Sequence, residues 1–389
     1  MLNKNFRLSL ILFGLATAIG ATTSASTDLC LALLSNPIST STSVTKDLPY
    51  GYVENKAWGE QIYVHELSDL EQTFAKIQNQ PWPQQLQQLI QLDVRRYFFD
   101  LWVLSETYKT IDASFFSANV EFFKNFESLL GKVGLKQEMQ SKPITISEPA
   151  LVSFFKDEAA SAASDLKAAL DTAKFLEDPN KTFQDLEKKL QDYSNWLSAE
   201  KDREFLLSEL IQFTSHLNNK IQKRAFDTDD LATGLHELRK KLREVVLHIV
   251  NLQHLIRLVD EGPLPPKLAL WYEELERQNP NLLENPYMPE ASSEVKNPIL
   301  VPRKLIAMIG ALVNIIGNIK DQDEPLVELQ EAALKSPALT TEDRNRILEK
   351  IKLAGAALED QKQVADKFQN RISDTDLLGQ FIKFLQGQP

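Results

Sequence analysis

The chain has 389 residues, 43% hydrophobic and 25% charged, an ordinary composition for a chain long enough to bury its own core. Its formal net charge of −11 argues against general nucleic-acid binding, so any anion site must be a local concentration of basic residues. The single cysteine, Cys30, excludes an intrachain disulfide framework, and only 13 glycines among abundant Leu, Lys, Glu, Gln and Ala favour helices.

Residues 1–25 read as a secretory signal peptide. Lys4 and Arg7 form a charged start, Leu8 to Ala21 an apolar run, and Thr23-Ser24-Ala25 a cleavage site. The alternative is an uncleaved anchor, which the short apolar run disfavours. Thr27-Asp28-Leu29 before Cys30 lacks the small residue that lipoprotein processing needs. Export to a bacterial periplasm, or secretion, is the expected destination. The mature chain would carry −13, that is −11 less the charges of Lys4 and Arg7.

Residues 26–60, rich in Ser and Thr at their start, read as a flexible linker, with Trp58 to Val64 as an extended lead-in. Helix signals then follow at Leu67–Ile77, Gln84–Tyr108, Ser114–Leu130, Pro149–Leu176, Phe183–Trp196 and Glu204–Phe226. Asp227 to Asp230 is an acidic cap for a helix running to about Leu258. Beyond the turn at Gly262-Pro263, helices are expected at Leu268–Arg277, Lys304–Lys320, Leu326–Leu334, Thr341–Phe368 and Asp374–Leu385, with an irregular Asn279–Pro302. The pattern predicts an all-α fold of two helical bundles, residues 61–226 and 227–389, with no strand set and no phosphate-binding glycine loop. The apolar Leu305–Ile319 is too short to span a bilayer and reads as a core helix, and the Phe115–Phe126 run as core.

The concentrated chemistry lies after Gly234. Leu235, Leu238, Leu242, Val245, Ile249, Leu252 and Ile256 make one apolar seam; His236, Arg239, Lys240 and Arg243 make a second stripe beside it. Two arginines can grip phosphate oxygens in two-pronged fashion, a lysine adds a mobile charge, and a histidine adds a donor that switches near neutrality. The alternative is a solvated face, with Glu237 paired to Lys241 and Lys240 to Glu244. Arg95 and Arg96 form a possible second stripe, or else pair with Asp93 and Asp100. No metal site is expected, since His248 and His254 fall on opposite helix faces and His65 and His216 stand alone. Neither a matched acid and base nor a nucleophile arrangement is visible, so no catalytic residues and no cofactor are expected.

His236-Glu237-Leu238-Arg239-Lys240-x-x-Arg243 resembles the signature helix of the conserved-histidine α-helical domain family, CHAD. Ile316-Gly317-Asn318-Ile319-Lys320-Asp321 resembles its later Leu-Gly-x-x-(basic or Asn)-Asp motif. Glu244 and Val246 stand where that pattern commonly carries further basic residues. The resemblance implies two helical halves related by an internal repeat. It makes residues 61–226 a degenerate first half, with Arg95 laid on Arg239, Arg96 on Lys240, Leu92 on His236 and Phe99 on Arg243. In that half Gly131 is not followed by an aspartate at the motif spacing.

It further implies non-catalytic binding of inorganic polyphosphate or another phosphate-rich polyanion by His236, Arg239, Lys240 and Arg243. Gly317 and Asp321 would be structural, Asp321 capping or orienting a helix. Two other readings stand beside it: a cell-envelope structural or protein-interaction module with no anion site, and a hydrolase of phosphorylated polymers.

Overall fold

A chain with few glycines must end its helices on other residues. Here Lys174 (φ 61°) and Arg224 (φ 51°) take the left-handed position after the helices Pro149–Thr172 and Ala199–Gln222. The amide of the next residue then returns to a carbonyl of the last turn: Phe175 N to Leu170 O at 3.0 Å, and Ala225 N to Lys220 O at 2.9 Å. Asp93 (φ 51°) and Asp376 (φ 54°) occupy the same region where one helix gives way to the next.

The computed structural model describes residues 56–226, 234–252, 255–284, 288–289, 297–357 and 359–387. The expected signal peptide, the linker as far as residue 55, the acidic cap at 227–230 and His254 lie outside the described residues.

Among the described residues the fold is all-α, with one two-stranded ribbon. The first half contains α1 (Trp58–Ile77), α2 (Trp82–Gln91), α3 (Val94–Tyr108), α4 (Ala113–Gln140), the short α5 (Pro143–Ile146), α6 (Pro149–Thr172), α7 (Pro179–Gln191) and α8 (Ala199–Gln222). The second contains α9 (His236–Asn251), β1 (Ile256–Val259), α10 (Pro266–Gln278), β2 (Ile299–Pro302), α11 (Arg303–Lys335), α12 (Thr341–Ala357), α13 (Glu359–Thr375) and α14 (Leu377–Gln386).

Several boundaries differ from the sequence expectation. Trp58 to Val64 is the start of α1, not an extended lead-in, so the linker cannot reach residue 60. Trp58, Ile62, Tyr63, Leu67, Leu70, Phe74 and Ile77 are all buried at helical spacing. The helix expected over Gln84–Tyr108 is two, broken where Asp93 turns left-handed. The helix expected to reach Leu258 stops at Asn251, and Ile256 opens β1 rather than extending the seam. Ile256–Val259 and Ile299–Pro302, each with two β-branched residues of four, pair in parallel, Ile256 opposite Ile299, with α10 as the crossover.

Conversely, the two helices expected at Lys304–Lys320 and Leu326–Leu334 are one, α11, which continues through Pro325. The proline removes one backbone donor, and burial of Ile319, Pro325, Leu329, Ala332 and Ala333 on the same helix offsets it. Asp321 therefore lies exposed in the middle of α11 rather than at its end. Thr341–Phe368 divides into α12 and α13.

One continuous core runs from Trp58 to Leu385 and crosses the Phe226 boundary. Its first-half centre is aromatic: Phe175 stacks on Phe183 at 4.8 Å, Phe98 on Phe126 at 5.0 Å, and Phe74 lies 5.2 Å from Phe175. Leu305 to Ile319 is buried almost throughout, as a core helix should be. No described helix is long and apolar enough to cross a membrane. A smaller cluster sits where α4, α6, α11 and α12 meet, around Met139, Phe155, Leu329, Ala333 and Ile347. There Glu148 receives both Arg346 (2.8 Å) and Lys350 (3.1 Å).

Candidate functional site

The seam of α9 buries Leu238, Leu242, Val245, Val246 and Ile249, which leaves the His236 stripe at the edge of the core. Half-buried His236 opens the helix. Half-buried Arg239 does not project outward: its guanidinium lies on the backbone of α11, with Nε donating to Val313 O at 3.3 Å. Gly317 makes that seat possible. A Cβ there would stand 2.9 Å from Arg239 Nε and Nη2.

Arg95 makes the same arrangement in the first half. A Cβ on Gly131 of α4 would stand 2.7 Å from its guanidinium carbon, and Glu127 holds Arg95 Nη2 at 2.6 Å. Arg95 thus pairs with Glu127 rather than Asp93. Gly131 takes the place opposite Arg95 that Gly317 takes opposite Arg239, although its downstream sequence lacks the aspartate. Sequence comparison alone missed this equivalence, because the glycine carries it and the flanking residues do not.

The remaining basic residues divide between solvent and the α3–α9 contact. Lys240 is exposed, 3.5 Å from Glu237, and Lys241 meets Glu244 at 2.6 Å, so the acids pair at a spacing of three rather than four. Arg243 crosses to α3, where its guanidinium lies over the Phe99 ring at 4.9 Å. Arg96, with half its side chain exposed, sits 3.5 Å from Asp100 Oδ2.

Asp100 is buried, 3% exposed, and the charges of Arg96 and, less strongly, Arg243 act on it. Burial pushes its carboxyl up to about 6, although both arginines pull it down. Burial also raises Glu66 on α1 well above the carboxylate range, and the neighbouring Asp100 charge adds to that rise. The structure therefore places Arg96 beside Asp100 and Arg243 over the adjacent Phe99, seats Arg239 and Arg95 on glycines of their own halves, and leaves Lys240 in solvent.

The two helices run side by side beyond this point. Asn251 Nδ2 donates to Asp100 O at 3.4 Å, and Thr107 Oγ1 lies 3.4 Å from His248 Nδ1. His248 is buried against Phe213, and burial lowers its pKa to about 4, so it is neutral near pH 7. No group of three or more His, Cys, Asp or Glu side chains among the described residues could hold a metal ion.

Comparison with known proteins gives no match: no family model, no curated protein and no solved structure resembles this chain. The CHAD resemblance therefore rests on its two motifs.

Proposed function

We propose that this is an exported, non-catalytic, CHAD-like protein that binds a phosphate-rich polyanion, such as inorganic polyphosphate, at the junction of α3 and α9. The observation that supports this reading is that basic residues of two different helices reach adjacent positions of α3: Arg243 of α9 lies over Phe99, and Arg96 of α3 lies 3.5 Å from Asp100. Their planar forks suit phosphate oxygens. Arg96 keeps half its side chain in solvent, so a ligand can reach it. Lys240, likewise nearly half exposed, and His236 lie further along the same helix as Arg243. Arg239 contributes by fixing α9 on α11 rather than by touching the ligand.

A second reading, an envelope protein-interaction module without an anion site, draws support from the acids already paired with Arg95 and Lys240. One experiment separates the two. The full-length protein at low ionic strength should bind long-chain inorganic polyphosphate, with an affinity that falls as salt is added. An Arg96→Ala/Arg243→Ala double variant should bind about tenfold more weakly and with a salt slope about one to two units shallower. Equal binding by both proteins, or none by either, would contradict the assignment; co-purification of a protein partner indifferent to the double change would support the second reading.

A further inference from the structure

The lysines of α3, α4 and the turn that follows find carboxylates, with one exception. Lys109 lies 3.5 Å from Glu106, Lys132 3.5 Å from Asp165, Lys136 2.5 Å from Glu328 and Lys142 2.6 Å from Glu138. Lys124 of α4 is exposed and has no carboxylate within ion-pair distance among the described residues. Glu127, three residues on, is held by Arg95 at 2.6 Å. Lys124 instead places its ammonium 5.6 Å from the centre of the Trp102 ring on α3. Trp102 meets Phe99 at 5.0 Å, edge to face at 82°, and Phe99 carries the guanidinium of Arg243 from α9 at 4.9 Å. Both rings are half-buried. A row of cation, ring, ring and cation thus crosses α3 from α4 to α9.

An aromatic ring attracts a cation through the electron density of its face but carries no net charge. It holds an ammonium in place without cancelling its charge, whereas a carboxylate cancels it. A lysine ordered in this way also spares a ligand part of the entropy of fixing the side chain. In a chain of net charge −11 whose neighbouring lysines are already neutralised, Lys124 is a point where an anion meets little competition. We propose that Lys124, seated on Trp102, is a further polyanion contact, and that the ligand bound at the α3–α9 junction continues across α3 to α4. This inference rests on the binding function proposed above. The ligand such a row fits is an extended chain of phosphates, because two rings lie between its two cations.

The test is titration of the full-length protein with long-chain inorganic polyphosphate over a range of salt concentrations. Lys124→Gln should bind about three- to tenfold more weakly than wild type, with a salt slope shallower by about one unit, the loss of one phosphate contact. Lys124→Arg, which keeps the charge and can keep the ring contact, should bind as wild type does. Lys132→Gln removes an equal charge from the same helix, but one already paired with Asp165, and should leave affinity and slope unchanged. Trp102→Leu keeps the charge and removes its seat, so it should weaken binding about two- to fivefold without changing the slope. Equal affinity and slope in wild type and Lys124→Gln, or an equal loss in Lys124→Gln and Lys132→Gln, would overturn the contact. Wild-type affinity in Trp102→Leu would overturn the role of the ring. Either result leaves the binding function standing, since the Arg96→Ala/Arg243→Ala variant tests that separately. No binding by wild type would overturn the binding function and this inference with it.

Discussion

Two glycines show how much a single hydrogen in place of a methyl group can decide. At Gly59 an added Cβ would fall 2.0 Å from the hydroxyl oxygen of Tyr108, which is fully buried and hydrogen-bonded to Asp202 at 2.9 Å. The ring has nowhere to go, so Gly59→Ala should cost about 2–3 kcal/mol in urea unfolding. At Gly317 the clash is with the far end of the Arg239 side chain, which can swing away. Gly317→Ala should change stability by less than about 1 kcal/mol, because the helix gains from alanine what the lost seat costs. Lys174 and Arg224 make the converse case, since both hold a left-handed conformation that glycine adopts without strain. Lys174→Gly should raise stability by about 0.5–1 kcal/mol in the same measurement. These positions were hidden in the sequence: Gly131 and Gly59 carry no motif, and a charged residue past a helix end gives no sign that its φ is positive.

At the scale of the helices, one carboxylate caps an element far away in sequence. The N-terminus of α1 has no capping side chain of its own; Asp202 of α8 supplies it, accepting from Gly59 N at 2.9 Å. Burial raises Asp202 to about 6 from an ordinary 3.8. The folded state therefore holds a proton that the unfolded chain has already released between about pH 4 and pH 6. This contribution favours the folded state at low pH and is lost as pH rises through about 6. His248 acts in the opposite sense: lowered to about 4 from 6.5, it stays neutral while the unfolded chain charges, so its contribution is lost as pH falls below about 6.5. The stability difference between wild type and Asp202→Asn should therefore shift toward wild type by about 2–3 kcal/mol between about pH 7 and pH 4, measured by denaturant unfolding across that range. A difference independent of pH would contradict this. Most helices were legible because their apolar spacing is strong, as in α1 and α9. Their ends were less so. Periodicity cannot see Asp93 turn left-handed, and the apolar Ile256 fits the α9 seam as well as it fits a strand.

Across the whole molecule, the two halves share one core, and the basic residues serve two purposes at their contact. Arg95 and Arg239 each lie on a glycine of a long helix, α4 or α11, and so fix helix packing within their halves. Arg96 lies beside Asp100, and Arg243 reaches across from α9 to the neighbouring Phe99 of α3. Sequence spacing placed all four stripe residues on one helix face. It could not separate Arg239, turned to the α11 backbone, from Arg243, turned to α3, because the packing partners of α9 set that division. Nor did it single out Asp100, whose weight comes from burial rather than from any motif. The anion binding proposed at the α3–α9 junction can be tested directly. The decisive measurement is the NMR spectrum of the arginine Nε–Hε groups of the full-length protein during titration with inorganic polyphosphate at low salt. The Arg96 and Arg243 signals, assigned by their loss in the single Lys substitutions, should shift in a saturable manner while that of Arg239 stays in place. Shifts confined to other arginines, or none at saturating polyphosphate, would contradict the account.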